Sequence, residues 1–179
     1  MSDNAPLIAE IVGYTLPEAG WAALRTLLRL PDPLHALETD ARPRDGLDCL
    51  YDMGLATPAG ERVIVDELFA FLLTELSQAD IALSFRAGDA RLTLCRCPRL
   101  YIMLEQRPSR VTLTPLPSAE TADACLSAAV ARLGAPLSAT LEGRSGIMLS
   151  ETVPEIEDVP SALARLFDLF TSGAVGEII

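Results

Sequence analysis

Hydrophobic residues recur at helical spacing in several segments of the chain. Apolar positions three and four residues apart predict helices, and the segments cover residues 17–30, 67–79, 118–134 and 158–170. Asp66 directly precedes the second segment and Ser118 begins the third, and both are typical N-cap residues. Gly134 is the last residue of the third segment and a typical helix stop. Each helix has one broad apolar face, so each needs a surface to pack against.

The period of the pattern changes from 3.6 to 2 between Asp80 and Pro117. The runs "IALSFR", "RLTLCRC", "RLYIMLE" and "RVTLTPL" predict four short strands with tight connections, which is typical of an antiparallel meander. Two further strands are predicted around "EGRSG", after the third helix. Helices against an antiparallel sheet predict an α+β fold. Within it, apolar-face positions predict burial of Leu72, Leu83, Leu104, Leu126 and Phe167.

The N-terminal part has an organisation of its own. A helical pattern over residues 44–54, a turn at Gly60, the short strand Arg62–Val65 and the next helix together resemble a small winged-helix segment. The length of 179 residues suits one sizeable core. We therefore predict a single α+β domain over residues 1–179, mainly helical over 17–79, with sheet and helices over 80–171.

The alternation within the meander predicts which side chains share a face of the sheet. The helices predicted are too few to cover both faces. The face predicted to be the core carries Leu92, Leu94, Leu100, Ile102 and Leu104. The face predicted to be open carries Thr93, Cys95, Cys97, Tyr101 and Met103, continued by Thr112 and Thr114. Its mixed composition suits recognition of another chain, so the candidate partner-binding residues are Thr93, Tyr101, Met103 and Thr112. The N-terminal helix or a second copy of the chain is an alternative cover for this face.

Net charge narrows the classes of partner. The formal charge is −11, and every basic residue is arginine. This negative charge disfavours binding to nucleic acids, which depends on neutralising their phosphates. It also disfavours attachment to membranes through a polybasic patch. Apolar runs are too short to span a bilayer, and "MSDNAPLIAEIVG" lacks the basic region of a secretory signal. We expect a cytoplasmic protein whose partner is another protein.

The pair Cys95 and Cys97 is the first candidate for chemistry. Both thiols point to one side of a strand, which holds their sulfur atoms too far apart for a disulfide. A structural zinc site needs four ligands, commonly from C-x₂-C pairs, and here the spacing is one residue. Cys49 and Cys125 are conceivable further ligands, but no spacing favours them. We expect free thiols that serve as small packing residues on the sheet, and no metal.

Other catalytic candidates are equally sparse. The single histidine, His35, lies in a proline-rich segment and is expected to be a surface or turn residue. "GRSG" (Gly143–Gly146) lacks the context of a nucleophile elbow and reads as a hairpin turn. Glu151, Glu155, Glu157 and Asp158 read as a solvated acidic run. There is no phosphate-binding glycine motif, so we expect no enzyme activity and no cofactor.

The order of the segments carries a resemblance. "LYDMGLATPAGERVIVDELFAFLLTELSQADIALSFR", followed by "RLTLCRCPRLYIMLEQRPSRVTLTPLPSAETADACLSAAVARLG", resembles the cytosolic EspG-type chaperones of ESX (type VII) secretion over roughly residues 31–134. The chain is short for that family, and the region before the last helix is compressed. Its acidity and element order also resemble type III secretion chaperones. Both resemblances imply a non-enzymatic cytosolic holder of secretion cargo, the latter as a homodimer.

The function expected from the sequence is therefore that of a protein-binding chaperone or adaptor. A small-molecule-binding or sensor domain, with a pocket between sheet and helices, is the alternative. A DNA-associated regulator using the winged-helix-like segment is the third reading, but Asp48 and Asp52 stand where a DNA-reading helix carries basic or amide side chains.

Overall fold

A computed structural model describes residues 12–31, 34 and 41–173. The helices are α1 (Glu18–Leu28), α2 (Leu47–Asp52), α3 (Glu67–Ser77), α4 (Ala119–Ala131) and α5 (Val159–Ser172). The strands are β1 (Tyr14–Pro17), β2 (Ala56–Ala59), β3 (Arg62–Val65), β4 (Ile81–Ala87), β5 (Ala90–Arg96), β6 (Tyr101–Arg107), β7 (Arg110–Leu116), β8 (Leu137–Gly143) and β9 (Gly146–Val153). Short 3₁₀ turns cover Pro43–Gly46 and Ile156–Asp158.

The fold is α+β, built on a seven-stranded antiparallel sheet. Its strand order is β1-β7-β6-β5-β4-β8-β9, while β2 and β3 form a separate hairpin. The predicted meander is β4 to β7, and it is confirmed. The hairpin β8–β9 follows α4 along the chain and pairs with the free side of β4. The sequence pattern missed β1 and β2, each of four residues.

Helices cover both faces of the large sheet, so the prediction of helices on one face is wrong. On the front face, α1 and α3 pack on side chains from the β1 to β5 side, including Leu16, Cys95 and Ile102. On the back face, α4 and α5 pack on residues that extend from β7 to β9. Two separate apolar cores result, one on each side of the sheet. The N-terminal segments supply the front core by folding back over the strands that follow them.

The predicted pairing of faces between β5 and β6 is also wrong. Thr93 lies opposite Leu104, and Leu94 lies opposite Met103. Residues directly opposite in an antiparallel pair point to the same face. Tyr101 and Met103 therefore share the back face with Leu94, whereas Leu104 shares the front face with Thr93. Alternation along one strand cannot fix the register of its neighbour, and a shift of one residue exchanges the faces.

The predictions of helix caps and of buried residues are more successful than those of the sheet faces. The Asp66 carboxylate accepts hydrogen bonds from the backbone N–H groups of Leu68 and Phe69, at 3.0 and 3.3 Å. The Ser118 hydroxyl accepts from the N–H of Thr121 at 3.2 Å. The predicted core positions with negligible exposure are Leu72, Leu83, Leu104 and Leu126. Phe167 is only half-buried, beside Phe170 at a ring separation of 5.9 Å.

Gly46 sets the close approach of the 3₁₀ turn to α1. A Cβ atom at this position would lie 1.9 Å from the Ala19 carbonyl oxygen and 2.7 Å from the Gly20 nitrogen. Both atoms belong to the backbone, so they cannot rotate away. Glycine is needed here for its lack of a side chain, since its φ of −95° is open to any residue.

We expect Gly46→Ala to destabilise the chain by about 1–3 kcal/mol or more, because the added methyl group forces the turn away from α1. Urea unfolding of both variants measures the change. Gly88→Ala is the matched control, since its position has a φ of +55° but open space around it. That variant should lose no more than about 1–2 kcal/mol. An unchanged stability of Gly46→Ala would contradict the close approach.

Candidate functional site

The two thiols of the Cys-x-Cys pair lie in the front core. Cys95 is fully buried and Cys97 is 9% exposed. The pKa of the Cys97 thiol is raised to about 12, first because burial disfavours the thiolate and then because the charges of Glu75 and Asp80 repel it. All four cysteines are free thiols. Within residues 12–31, 34 and 41–173, no three metal-ligating side chains form a group that could hold an ion.

The two carboxylates near these thiols, Glu75 and Asp80, each form an ion pair with an arginine. Glu75, only 1% exposed, accepts from the Arg99 side-chain Nε at 2.8 Å and from the Arg99 backbone N–H at 3.0 Å. Arg96 donates to both carboxylate oxygens of Asp80, at 2.8 and 3.0 Å. Arg96 also donates to the carbonyl oxygens of Phe170 and Thr171, which ties the C-terminal end of α5 to β5. These carboxylates therefore anchor structural elements.

The Arg96 hydrogen bond lowers the pKa of Asp80 more than burial raises it, and the charge of Arg96 lowers it further. A carboxyl group with a lowered pKa in the folded state stabilises the fold above its unfolded pKa. That contribution is lost as the pH falls through the lowered value. The pair is partly exposed to solvent, so its effect on stability is modest.

The four candidate partner-binding residues do not form one surface. Thr93 is fully buried on the front face, with its hydroxyl 3.0 Å from that of Ser84. Met103 is 8% exposed, in the back core. Tyr101 is half-buried against Phe170, and Thr112 is half-buried with its hydroxyl 2.7 Å from that of Thr15. Their role in partner binding stays a prediction, and of the four only Tyr101 and Thr112 offer appreciable surface.

The other segments considered for catalysis in the sequence lie in a turn, a strand and an exposed stretch before α5. "GRSG" forms the turn between β8 and β9, where Gly143 pairs with Gly146, as predicted. Glu151 belongs to β9, not to a loop, and forms an ion pair with Arg165 of α5. Glu155, Glu157 and Asp158 are exposed or nearly so, before α5. His35 lies outside the described residues.

One end of the front face has no helix over it among the described residues. On β4, β8 and β9 the back-facing positions, such as Leu83, Ala139 and Val153, are buried under α4 and α5. The intervening front-facing positions, apart from the buried Ala82 of β4, are exposed or half-buried and mostly polar. We call this surface the open platform, and it consists of Ser84, Arg86, Ser138, Thr140, Glu142, Ile147, Ser150 and Thr152.

Strand register arranges the open platform in ordered rows. Arg86 lies opposite Ser138 on one side and opposite Arg91 on the other. In the next row Ser84 lies opposite Thr140, and Thr140 lies opposite Ser150. The platform is thus a flat, hydroxyl-rich surface with a guanidinium group at one end. Its signal was present in "IALSFR", where polar residues alternate with apolar ones, as in a strand with one solvated face.

The outer edge of β9 borders the open platform. Among the described residues, β9 pairs with β8 and with no strand on its other side. The Ile147 side chain near its start is 68% exposed. A second exposed apolar region lies near the β2–β3 hairpin, where Met53, Ile64 and Leu68 are 49%, 61% and 43% exposed. Both regions are therefore candidates for contact with another molecule.

We expect Cys95 and Cys97 to resist alkylation in the folded chain, because both are buried and the thiolate is the reactive form. Iodoacetamide at pH 8, followed by peptide mass spectrometry, should label the half-buried Cys49 and Cys125 first. Labelling in urea should modify all four thiols. Rapid modification of Cys97 in the native protein would contradict the burial and the raised pKa.

No family model matches the sequence, and no curated protein matches it. Among solved structures, the fold is similar to a chain in the structure of the Mycobacterium tuberculosis type VII secretion system chaperone EspG5 in complex with a PE25-PPE41 dimer. The TM-score is 0.49 and the identity is 12%, over 70% of this chain and 53% of that one. The similarity thus concerns the fold alone, and it spans about half the length of that chain. No helix of the described residues has both the length and the apolar character needed to cross a membrane.

Proposed function

We propose that this chain is a non-enzymatic chaperone or adaptor of the cytoplasm that holds a partner polypeptide against the open platform. The observation that carries the proposal is the uneven cover of the large sheet. The back face is packed under α4 and α5 as far as β9, whereas the front face is packed only as far as β5 and the inner part of β4. A flat polar surface and an adjoining strand edge are thereby left for a partner.

The edge of β9 supports this proposal. An unpaired strand presents rows of backbone N–H and C=O groups, and soluble proteins usually protect such edges with short strands, proline or charge. At the opposite edge of the sheet, β1 has four residues and ends at Pro17. In contrast, β9 has eight residues, no proline and the single charge of Glu151. A partner polypeptide added alongside β9 satisfies these groups by β-augmentation.

Secretion cargo is the partner class that the proposal favours. This choice rests on the resemblance of the sequence to EspG-type and type III secretion chaperones. A second copy of the chain is the competing occupant of the same edge. The two occupants are distinguishable, because a second copy changes the mass of the isolated protein whereas a cargo protein binds to it in a defined ratio.

We expect Ile147→Lys to weaken partner binding at least about tenfold, because a lysine on an edge strand opposes the pairing of a further strand. Proteins encoded by neighbouring genes are to be co-expressed with the chain, and the affinity of any partner then measured by calorimetry with purified components. Ile64→Lys is the matched control, since Ile64 is also an exposed strand isoleucine, at 61% against 68%. It should keep the affinity of the wild type.

Three results would contradict the proposal. Equal affinity of the Ile147→Lys variant and the wild type would remove the edge of β9 as the docking surface. Loss of binding only in Ile64→Lys would move the site to the β2–β3 hairpin. A wild-type dimer that becomes a monomer on Ile147→Lys substitution, measured by light scattering, would make a second copy the occupant.

A further inference from the structure

Two arginines lie directly opposite each other on the front face of the β4–β5 hairpin. Arg86 pairs with Arg91, one position before the Ala87–Ala90 pair that closes the turn. Like charges opposite each other in an antiparallel pair destabilise the sheet. The chain has 25 acidic residues and 14 arginines, so it has enough carboxylates for one to lie beside such a pair and relieve the repulsion. An anion close to Arg86 and Arg91 would therefore stabilise the hairpin.

The β6–β7 hairpin shows how the chain supplies a counter-charge elsewhere. There Arg107 lies opposite Arg110, also next to a turn. Arg107 donates two hydrogen bonds to the Glu105 carboxylate, at 3.0 and 2.8 Å. Arg132 of the segment after α4 approaches the same carboxylate at 3.7 Å. An internal glutamate thus compensates the second like-charged pair.

Arg86 has no such compensation. Arg91 has an interaction within the chain, but Arg86 is exposed and forms no hydrogen bond or ion pair with any described residue. The platform's own carboxylate, Glu142, lies opposite Ala82, four residues along β4 from Arg86. That separation is about 13 Å along the strand. The guanidinium group of Arg86 is therefore free to bind an external anion.

The surface around Arg86 is an open groove rather than an enclosed pocket. Arg86 and Arg91 border two hollows, of about 220 and 440 Å³, on either side of them. The smaller hollow is lined by Ser138 and Thr140, beside Arg86, and by Glu142 farther along the strands. Glu18 and Asp89 line the larger one. Each hollow thus has acidic residues in its lining, and the hydroxyl groups next to Arg86 lie in the smaller one.

From this arrangement we infer that Arg86, with the hydroxyl groups of Ser138 and Thr140, binds acidic side chains of an extended polypeptide segment that crosses the open platform. The inference rests on the proposed function and adds the chemistry of the partner. A planar guanidinium group matches a carboxylate with two parallel hydrogen bonds, and hydroxyl groups donate further bonds. A small ligand is normally enclosed in a mostly apolar pocket, whereas this groove is polar and open, which suits an extended chain.

A peptide titration tests the inference without the natural partner. A peptide of ten glutamates is added to the isotopically labelled chain at low ionic strength, and amide chemical shifts report the site by NMR. The largest changes are expected at Arg86, Ser138 and Thr140. Arg86→Glu should weaken binding at least about tenfold, because a close like charge replaces an attractive one. Arg62→Glu makes the same change of charge on another exposed strand residue, in β3, and should leave the affinity within about twofold of the wild type.

Stability supplies a second measurement. Arg86→Glu places opposite charges at the Arg86–Arg91 position, so its melting temperature should equal or exceed that of the wild type. A lower melting temperature would show that Arg86 supports the fold, and it would overturn the inference. So would an absence of shift changes at the platform, or equal weakening in both variants. Inorganic phosphate that binds as tightly as the peptide would also overturn it, since the site would then select a simple anion.

Failure of this inference and failure of the proposed function have different signatures. If the glutamate peptide does not bind but Ile147→Lys still abolishes binding of a neighbour-encoded partner, the platform holds a polypeptide without acidic selection. If the peptide binds through Arg86 but Ile147→Lys has no effect on the partner, the acidic groove is real and the edge of β9 is not the docking surface.

Discussion

The structure depends on a sheet that is apolar on both faces at its centre and on one face only at one end. Strands β5 and β6 carry buried side chains in both directions, which is why Thr93 and Met103, on opposite faces, are both removed from solvent. Such strands cannot remain in water without two covering layers. The N-terminal helices and the pair α4 and α5 supply these layers.

Strand β4 lies between the part of the sheet that is buried on both faces and the part that is buried on the back face only. Its back-facing residues Ile81, Leu83 and Phe85 are buried, and on its front side Ala82 is buried whereas Arg86 is exposed. The front layer therefore ends along this strand. Because β8 and β9 join the sheet on its far side, their front-facing residues lie beyond α1 and α3. The open platform is thus a consequence of adding a hairpin to one edge of a sheet whose front cover was already complete.

Sequence patterns predicted the elements well because each element depends on neighbouring residues. The cap at Asp66, the turn at Gly143–Gly146 and the alternation in β4 to β7 are local properties of a few residues. The faces of β5 and β6 were assigned wrongly because the Leu94–Met103 pairing depends on the geometry of the connection between the strands. β1 and the close approach at Gly46 were missed for a related reason. Both depend on contacts with segments distant in sequence, Leu113 for Tyr14 and Ala19 for Gly46.

The charged side chains also differ in whether the chain itself supplies their partners. Glu75 and Arg99 meet across 24 positions of sequence, and burial of the carboxylate is stabilised by hydrogen bonds to both of its oxygens. Arg86 has the opposite environment, since one of its two cross-strand partners is another cation, Arg91, and the other is Ser138. A guanidinium group that serves the fold is placed against an acceptor, as at Arg96 and Arg107. Arg86 is placed against donors and solvent, and this contrast within one chain is the basis of the proposal that the open platform binds another molecule.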